Sequence, residues 1–459
     1  MDRSLSVTDM SPTLGENLAY GCGDLSSNLL WGASGAFLMY FYTDVARLPA
    51  LQVATLLLVV RIFDALIDPL IGYAIDRSQG RLVRPLIKYL AIPFGVVGFL
   101  AFLPLQGSDA LKLAWAYLTY IAFGTVYAGV NTPYGVLGNM IARNRTDRVA
   151  QAAFRMVGCL CGQLAIAGLT LPLVHWFGHG TDLSAQRAGF PRAMALLGVA
   201  GAALWWITYR FCHVRHAPEH STHSLRDLLR ALMRNRPWVV CNVATVFLFV
   251  NICAYGGFAL YYAHVVLHRS TGFGSVLLTI TTVTGMAGSL LTIALARRYD
   301  RRAVLIGSLI AEIAGLIVIA CTTGQLAIFL PAFVVIGTAG GMRSSLFYSL
   351  ISDSIDYGTA LTGVRCAGFA YAFNSLISKV AFAIAGALLA ECLAAGGYDP
   401  ARTFQPASVG TWISAGFVIL PAISSALSIP LVLLCPSDAR LHGVIAGHRA
   451  SFRAAPKTS

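Results

Sequence analysis

The sequence predicts an all-α membrane protein with twelve transmembrane helices in two halves of six. The chain has 459 residues, of which 57% are hydrophobic and only 12% are charged, whereas soluble proteins carry about 25% charged residues. Apolar stretches of about 20 residues, each long enough to cross a bilayer, recur along its length. The loops between these stretches are alternately rich and poor in arginine. Together these observations are typical of a polytopic α-helical membrane protein.

The predicted spans give the chain its topology. They fall near 18–43, 50–75, 86–106, 112–141, 150–177, 190–211, 238–266, 272–296, 303–322, 326–354, 366–393 and 410–434. Most Lys and Arg residues follow the even-numbered spans, so these loops and both termini are expected in the cytoplasm. The net charge of +13 therefore indicates topology and not a nucleic-acid partner. We expect a multi-pass protein of the plasma membrane, a bacterial inner membrane.

The spans predict five consecutive regions. These are a cytoplasmic segment 1–17, a six-helix half 18–211, a cytoplasmic loop 212–237, a second half 238–434 and a cytoplasmic tail 435–459. Within the loop, Ser224–Arg234 has apolar residues at helical spacing opposite three arginines, which predicts a short amphipathic helix on the anionic inner leaflet. The four histidines of the loop have a spacing that could bind a metal, but a solvated connector is the preferred interpretation.

The two halves contain similar sequences at matching places. The loop after span 2 contains Gly72-Tyr-Ala-Ile-Asp76-Arg77, and the loop after span 8 contains Arg297-Arg-Tyr-Asp300-Arg301. Two six-helix halves in parallel repeat, with a substrate path at the midplane, are the architecture of the major facilitator superfamily. The sequence therefore predicts a major facilitator fold with pseudo-symmetric halves.

Span 2 carries an unusual group of charges. Arg61, Asp64 and Asp68 are spaced three and four residues apart, so they share one helical face. Charged groups inside a membrane are retained where they face a cavity, a partner or an ion path. Because one arginine neutralises only one of the two carboxylates, the pattern favours a proton or cation site. A structural Arg–Asp ion pair is the alternative.

Other spans add polar and aromatic residues. Asp24, Asn28 and Trp31 lie at helical spacing in span 1, and span 4 contains Tyr127 and Asn131. Aromatic rings can stack on the C–H faces of a sugar, while amides and carboxylates bind hydroxyls. Each residue alone could make an interhelical hydrogen bond, but their concentration favours a shared cavity. The predicted substrate-binding set is Asp24, Asn28, Tyr127, Asn131, Arg155 and Lys379.

Other classes of site have little support. The ten cysteines are scattered at irregular spacing, mostly within spans, and are interpreted as packing residues. The chain contains neither a His-Glu-x-x-His motif nor a Gly-x-Ser-x-Gly motif. We therefore expect a transporter without an enzymatic activity or an organic cofactor.

Several motifs, taken in order, resemble the glycoside–pentoside–hexuronide:cation symporter family. The resemblance implies a major facilitator fold and sugar uptake coupled to H⁺ or Na⁺. It also implies that Asp64 and Asp68 hold the coupling cation, and that Asn28, Tyr127, Asn131, Arg155 and Lys379 line the sugar site. The motifs are Tyr42-Thr-Asp-Val45, Arg61-x-x-Asp64-Ala-x-x-Asp68-Pro69, Asn131-x-Pro133-Tyr134, Asp353-x-x-Asp356-Tyr357-Gly358, Arg365 and Lys379.

The sequence departs from the family pattern at informative positions. Asn28 and Asn131 stand where a galactoside carrier of the family has aspartates, which argues against a galactoside substrate. Gly135 replaces an aromatic residue expected one turn after Asn131. Ile67 and Ala128 replace an Asn and a Thr that contribute oxygens to the sodium site of that carrier. Because a proton needs no cage of oxygen ligands, these changes favour H⁺; if the ion is Na⁺, Asp64 and Asp68 are its ligands.

Further predictions concern gating and partners. Asp76, Arg77, Asp353, Asp356 and Arg365 are expected to form a cytoplasmic ion-pair latch, together with Arg143, Arg145 and Arg148. Arg343, deep in span 10, is expected either to favour an anionic sugar or to pair with Asp24 or Glu312. The expected partners are a sugar-like solute, the cation and the bilayer, without nucleic acid, for a monomer. A carrier of lysolipids or other amphiphiles on the same fold is the alternative function.

Overall fold

The computed structural model describes residues 11–142, 144–180, 182–215, 224–269, 271–322, 325–398, 406–440 and 443–444. The first half of the described chain contains six long helices. Helix α1 is a continuous run over 14–45, in which the segments Leu14–Ser27 and Ala33–Tyr40 are each followed by a π-helical turn, Asn28–Gly32 and Phe41–Val45. The next five helices are α2 (Ala50–Arg77), α3 (Val83–Ala101), α4 (Asp109–Ile141), α5 (Arg145–Gly178) and α6 (Leu183–Phe211).

A short helix and six further long helices follow. The short helix α7 (Leu225–Arg234) coincides with the predicted amphipathic segment. The long helices are α8 (Arg236–Val266, ending in the π turn Tyr262–Val266), α9 (Thr271–Arg298), α10 (Arg301–Cys321), α11 (Leu326–Thr362), α12 (Ala367–Gly396) and α13 (Ala407–Leu434, with the π turn Ala415–Ile419). Within the described residues, ten of the long helices are apolar and long enough to cross a membrane, and α1 and α2 are not among the ten.

The described chain divides into two compact units. The first contains residues 1–225 and 365–373, and the second contains residues 226–364 and 374–459. The same four pairings of helices recur inside each unit: α1–α6, α2–α4, α3–α4 and α3–α6 in the first, and α8–α13, α9–α11, α10–α11 and α10–α13 in the second. This repeated packing is what the predicted pseudo-symmetric halves require, while the predicted region boundaries remain predictions.

The start of α1 is held by a buried ion pair. Glu16 accepts two hydrogen bonds from the Arg215 guanidinium, at 2.8 and 2.7 Å, and one from the His213 backbone N–H at 2.8 Å. Burial raises the pKa of Glu16, but the hydrogen bonds from Arg215 and His213 outweigh it and hold that pKa below its usual value. The pair therefore ties the first turn of α1 to the segment that follows α6.

The second unit contains a charged network around Glu312, which is fully buried on α10. Its Oε1 accepts hydrogen bonds from Tyr255 Oη at 2.9 Å and Asn251 Nδ2 at 3.3 Å. Its Oε2 accepts from Ser425 Oγ at 2.8 Å and from the Arg343 guanidinium. Four donors fill the acceptor positions of one carboxylate, so this network joins α8, α10, α11 and α13.

A second network lies around Arg301 at the start of α10. Its guanidinium binds Asp438 through Nε at 2.8 Å, Ser349 through Nη1 at 2.8 Å, and Asp353. Arg301 and Asp353 are both fully buried. Asp353, predicted as part of a gate, is therefore part of an ion-pair network within its own unit.

Candidate functional site

The two carboxylates of α2 are the centre of the candidate site. Asp64 and Asp68 are each only 1% exposed. Asp64 lies against Gly124 of α4 so closely that a Cβ atom at Gly124 would overlap its Oδ1. Glycine is therefore needed on α4 because the carboxylate occupies the space of a side chain. The shared helical face of Asp64 and Asp68 places both carboxylates on one side of α2.

Arg61 takes a different position from the one that a structural Arg–Asp pair would require. Its guanidinium lies 5.2 Å from the centroid of the Trp31 ring, a cation–π geometry. The side chain of Arg61 is exposed. The ion-pair alternative is wrong for Arg61 within the described chain, because its cation stacks on an aromatic ring instead.

An aromatic cluster, formed by Trp31, Tyr120, Phe123 and Tyr127, surrounds this cation. The Trp31 and Tyr127 rings are parallel within 3°, with centroids 4.3 Å apart. Tyr120 and Phe123 follow at 6.3 and 5.5 Å from Trp31. Trp31 and Tyr127 are half-buried, while Tyr120 and Phe123 are buried. The cluster therefore combines two stacked, half-buried rings with two buried rings that pack against Trp31.

Asp24 and Arg155 form an ion pair behind this cluster. Arg155 Nε donates to Asp24 Oδ2 at 2.5 Å, and the side chains are 14% and 9% exposed. The guanidinium also lies 5.0 Å from the Tyr134 ring centroid. Tyr134 in turn stacks on Tyr20 at 4.5 Å and donates its hydroxyl to the Tyr20 carbonyl at 2.7 Å. The pair is therefore oriented by a rigid aromatic support.

Asn28 marks the point where the helical register of α1 changes. Its side-chain Nδ2 donates to the backbone carbonyl of Asp24 at 2.9 Å, and a π turn begins at Asn28. A π turn contains about one residue more than an α turn. The π turn therefore lies between Asp24 and Trp31, and their side chains contact different partners: Trp31 stacks on Tyr127, whereas the Asp24 carboxylate binds Arg155.

Gly135 is packed against an aromatic ring from a distant part of the sequence. Asn131, one turn earlier on α4, is half-buried. A Cβ atom at Gly135 would lie 3.0 Å from the Tyr371 ring. Tyr371 also donates its hydroxyl to Asn139 Oδ1 at 3.0 Å. The aromatic ring that the family pattern places on α4 is therefore missing there, and a tyrosine of α12 fills the space above the glycine.

Asp76 caps the start of α12. Its two carboxylate oxygens accept hydrogen bonds from the backbone N–H groups of Gly368 and Phe369, at 2.7 and 2.8 Å. These are the second and third residues of α12, whose N–H groups have no partner within the helix. The carboxylate therefore binds backbone donors and the adjacent Arg77 is exposed, while the ion-pair latch expected for these residues stays a prediction.

The remaining predicted residues lie in several places. Asp356 and Arg365 are half-buried at the end of α11 and just before α12, and Lys379 is half-buried on α12 within the second unit. Arg343 pairs with Glu312, one of its two predicted partners, and not with Asp24. Arg145 and Arg148 belong to the first turn of α5. Arg143 lies outside the described residues.

Some contributors could not be identified from the sequence. Gly124 gives no signal, because its importance comes from the carboxylate that packs against it. Tyr120 and Phe123 are recognisable only as apolar helix residues. Tyr134 differs from these residues, because the sequence identifies it as part of the family motif Asn131-x-Pro133-Tyr134.

Comparison with known proteins agrees with this geometry. The sequence matches the model of the family described as MFS/sugar transport protein over residues 19–438. It is 30% identical to the inner membrane symporter YicJ of Escherichia coli (strain K12), over 90% of this chain and 89% of the relative. It is also 30% identical to an isoprimeverose transporter of Lactiplantibacillus pentosus, over 92% of this chain and 88% of the relative.

A solved structure shows the same fold at low sequence identity. The E. coli fucose:proton symporter FucP aligns with a TM-score of 0.68 and 12% identity, over 93% of this chain and 100% of that one. The helix pairings, the buried carboxylates of α2 and these matches lead to one conclusion. The chain belongs to the MFS/sugar transport protein family, as its resemblance to the glycoside–pentoside–hexuronide:cation symporters predicts.

Proposed function

We propose that this membrane transporter carries out symport of a sugar, glycoside or hexuronide with a coupling cation, by alternating access. The observation that carries the proposal is the position of Asp64 and Asp68, which are buried on one face of α2 near the aromatic cluster. A pair of like charges at membrane depth is stabilised by taking up a cation. Coupling arises if sugar binding beside the cluster depends on that uptake.

We propose H⁺ as the coupling ion in preference to Na⁺. A hard cation such as Na⁺ is held by several oxygen ligands, many of them neutral. Gly124 of α4 packs against Asp64, Ala128 follows one turn later on α4, and Ile67 adjoins Asp68 on α2; none of the three has a side-chain oxygen. A buried carboxylate can carry a proton without any such cage.

The test is uptake into proteoliposomes containing the purified protein. Radiolabelled monosaccharides, glycosides and uronates are supplied with an imposed proton gradient in sodium-free buffer, and then with NaCl at constant pH. Accumulation driven by the proton gradient alone is the expected result. Accumulation that follows Na⁺ and ignores the proton gradient would refute the choice of ion while leaving symport intact.

We further propose that the contact between Asp76 and the start of α12 acts as a gate. The carboxylate supplies a charged cap to two N–H groups, and Gly72 allows the close approach because a Cβ atom there would lie 2.5 Å from the Gly368 carbonyl. Removing a cap costs about 1 kcal/mol, or about fivefold in an equilibrium. Asp76→Ala should therefore lower the transport rate about fivefold with little change in sugar binding, whereas Arg77→Ala should have no effect.

The alternative function is transport of a lysolipid or another amphiphile. The geometry favours a sugar, because the stacked Trp31 and Tyr127 rings lie beside polar groups and the isoprimeverose transporter among the relatives carries a glycoside. Competition of labelled sugar uptake by lysophosphatidylcholine below its critical micelle concentration separates the two. Uptake of the lysolipid itself, without any sugar uptake, would establish the alternative.

A further inference from the structure

Arg61 is a charged group that symport alone does not explain. It is exposed, although it lies in the middle of α2 and at membrane depth, where exposed arginines are costly unless they face water. Leu58, Leu66 and Leu70, which are 62%, 65% and 58% exposed, mark the lipid-facing side of α2. Arg61 lies instead seven residues before Asp68, on the same helical face as that carboxylate. Its exposed surface therefore lies away from that side of α2.

We propose that Arg61 binds the acidic group of the substrate, which is thus an anionic sugar bearing a carboxylate or a sulfonate. This inference rests on the proposed symport function and specifies its substrate class. A guanidinium presents a rigid fork of N–H donors that matches a carboxylate or a sulfonate through two parallel hydrogen bonds.

The Trp31 ring orients the Arg61 guanidinium for binding an acidic group. The guanidinium carbon lies 5.2 Å from the ring centroid, which restricts one face of the group by cation–π attraction. Cation–π contact uses the face of the guanidinium and leaves its N–H edge available. Tyr127, stacked on Trp31 at 4.3 Å, continues the same surface. A sugar ring lying against this surface would place an acidic substituent beside the Arg61 N–H groups.

The other membrane arginines of the predicted site are already neutralised. Arg155 is paired with Asp24, and Arg343 is paired with Glu312. Arg61 has no such ion pair in the described chain, where its contact is the Trp31 ring. Selectivity for an acidic sugar, if it came from Arg155 or Arg343, would require one of these buried pairs to separate. Binding to Arg61 would require no such separation.

The position of Arg61 also links the anion to the coupling ion. It is three residues before Asp64 on the same helix, so an acidic group bound to Arg61 lies near a carboxylate of like charge. Proton or cation uptake at Asp64 and Asp68 removes that repulsion. Binding of an acidic sugar should therefore depend on the coupling ion more steeply than binding of a neutral sugar.

The test measures binding of D-glucuronate and of methyl β-D-glucopyranoside to the purified transporter. Calorimetry gives both affinities, and gradient-driven uptake is measured for both sugars in proteoliposomes. The variants are Arg61→Gln, which removes the charge, and Arg61→Lys, which keeps it without the planar fork. Arg210→Gln is the matched control, because Arg210 is also exposed and lies 5.9 Å from the Phe211 ring centroid, outside the site.

The wild type should prefer glucuronate, and Arg61→Gln should lower the glucuronate-to-glucoside affinity ratio about tenfold or more. Arg61→Lys should give an intermediate ratio, and Arg210→Gln should keep the wild-type ratio. An unchanged ratio in Arg61→Gln, or gradient-driven uptake of the glucoside alone by the wild type, would overturn the anionic assignment and leave symport standing. Absence of uptake for both sugars would instead refute the proposed symport, and this inference with it.

Discussion

The two units share their helix pairings but use buried charge differently. In the second unit, Glu312 receives hydrogen bonds from four side chains on three other helices. In the first unit, the buried Asp64 and Asp68 lie on a single helix, and Arg61 of the same face is exposed over Trp31. In the second unit this buried charge joins helices, whereas in the first unit we propose that the α2 charges serve solute binding. The pseudo-symmetry of the packing therefore does not extend to the chemistry.

The largest effect is expected when the two α2 carboxylates are replaced. Asp64→Asn and Asp68→Asn should each abolish gradient-driven accumulation, because an amide cannot take up the coupling proton. Counterflow exchange of sugar should persist in part, and the melting temperature should not fall. Accumulation and melting are measured on the same preparations. Full concentrative uptake by either variant would contradict the assignment of that carboxylate.

In the second unit, disturbing the charges around Glu312 should lower the stability of the protein, in contrast to the α2 carboxylates. Arg343→Met leaves the Glu312 charge buried without its cation, which should destabilise the protein by about 3–5 kcal/mol. The double variant Glu312→Gln with Arg343→Met should recover much of that loss. Stability is followed by thermal unfolding in detergent, with the exposed Glu391→Gln of α12 as the control. A loss of transport at normal stability in Arg343→Met would show that the network also serves transport.

Substitution of Gly124 tests whether the buried Asp64 carboxylate of the first unit serves the coupling ion. A methyl group at this position would overlap the Asp64 carboxylate, so Gly124→Ala should displace it and weaken the affinity for the coupling ion about tenfold. Gly35→Ala is the matched control, because a Cβ atom at Gly35 meets open space. The proton concentration for half-maximal uptake measures the effect. Equal values for the two variants would argue against a functional role for the contact between Asp64 and Gly124.

The smallest effect is expected at Glu16, a charge of the first unit that is structural. The folded-state pKa of Glu16 is depressed, so its stabilising contribution is present above the unfolded pKa of about 4.3 and is lost as the pH falls through the folded value. Between pH 7 and pH 4, the wild type should therefore lose slightly more stability than Glu16→Gln. Parallel melting curves of the two proteins over this range would contradict the expectation.

The sequence predicts the helices well because hydrophobic length and arginine placement determine them locally. The segment of α7 and the relation of Arg343 to Glu312 were also within reach, since each follows from spacing or from the cost of a buried charge. The pairing of Asp24 with Arg155 was not, because it joins residues 131 positions apart. The π turn at Asn28 likewise depends on packing against α5, where Gly162 contacts the Asn28 side chain.

The predicted gate residues also show that the sequence does not identify contacts between distant parts of the chain. Charges at helix ends suggest ion pairs, and Asp353 does bind an arginine, Arg301. Asp76 binds backbone N–H groups instead. Any residue supplies such donors, so no sequence pattern identifies them. Only the close approach of Gly72 and Gly368, two residues that are distant in the chain, makes this cap possible.

Helix α12 contributes residues 367–373 to the first unit and 374–396 to the second. It is continuous from Ala367 to Gly396, so the direction of its first turns follows that of the rest of the helix. The six helical residues from Gly368 to Asn374 span about 9 Å, and a tilt of about 6° at Asn374 would therefore move the capped N–H groups by about 1 Å. Hydrogen bonds weaken strongly over that distance. In the proposed gate, a small change of angle would therefore be sufficient to release the Asp76 cap.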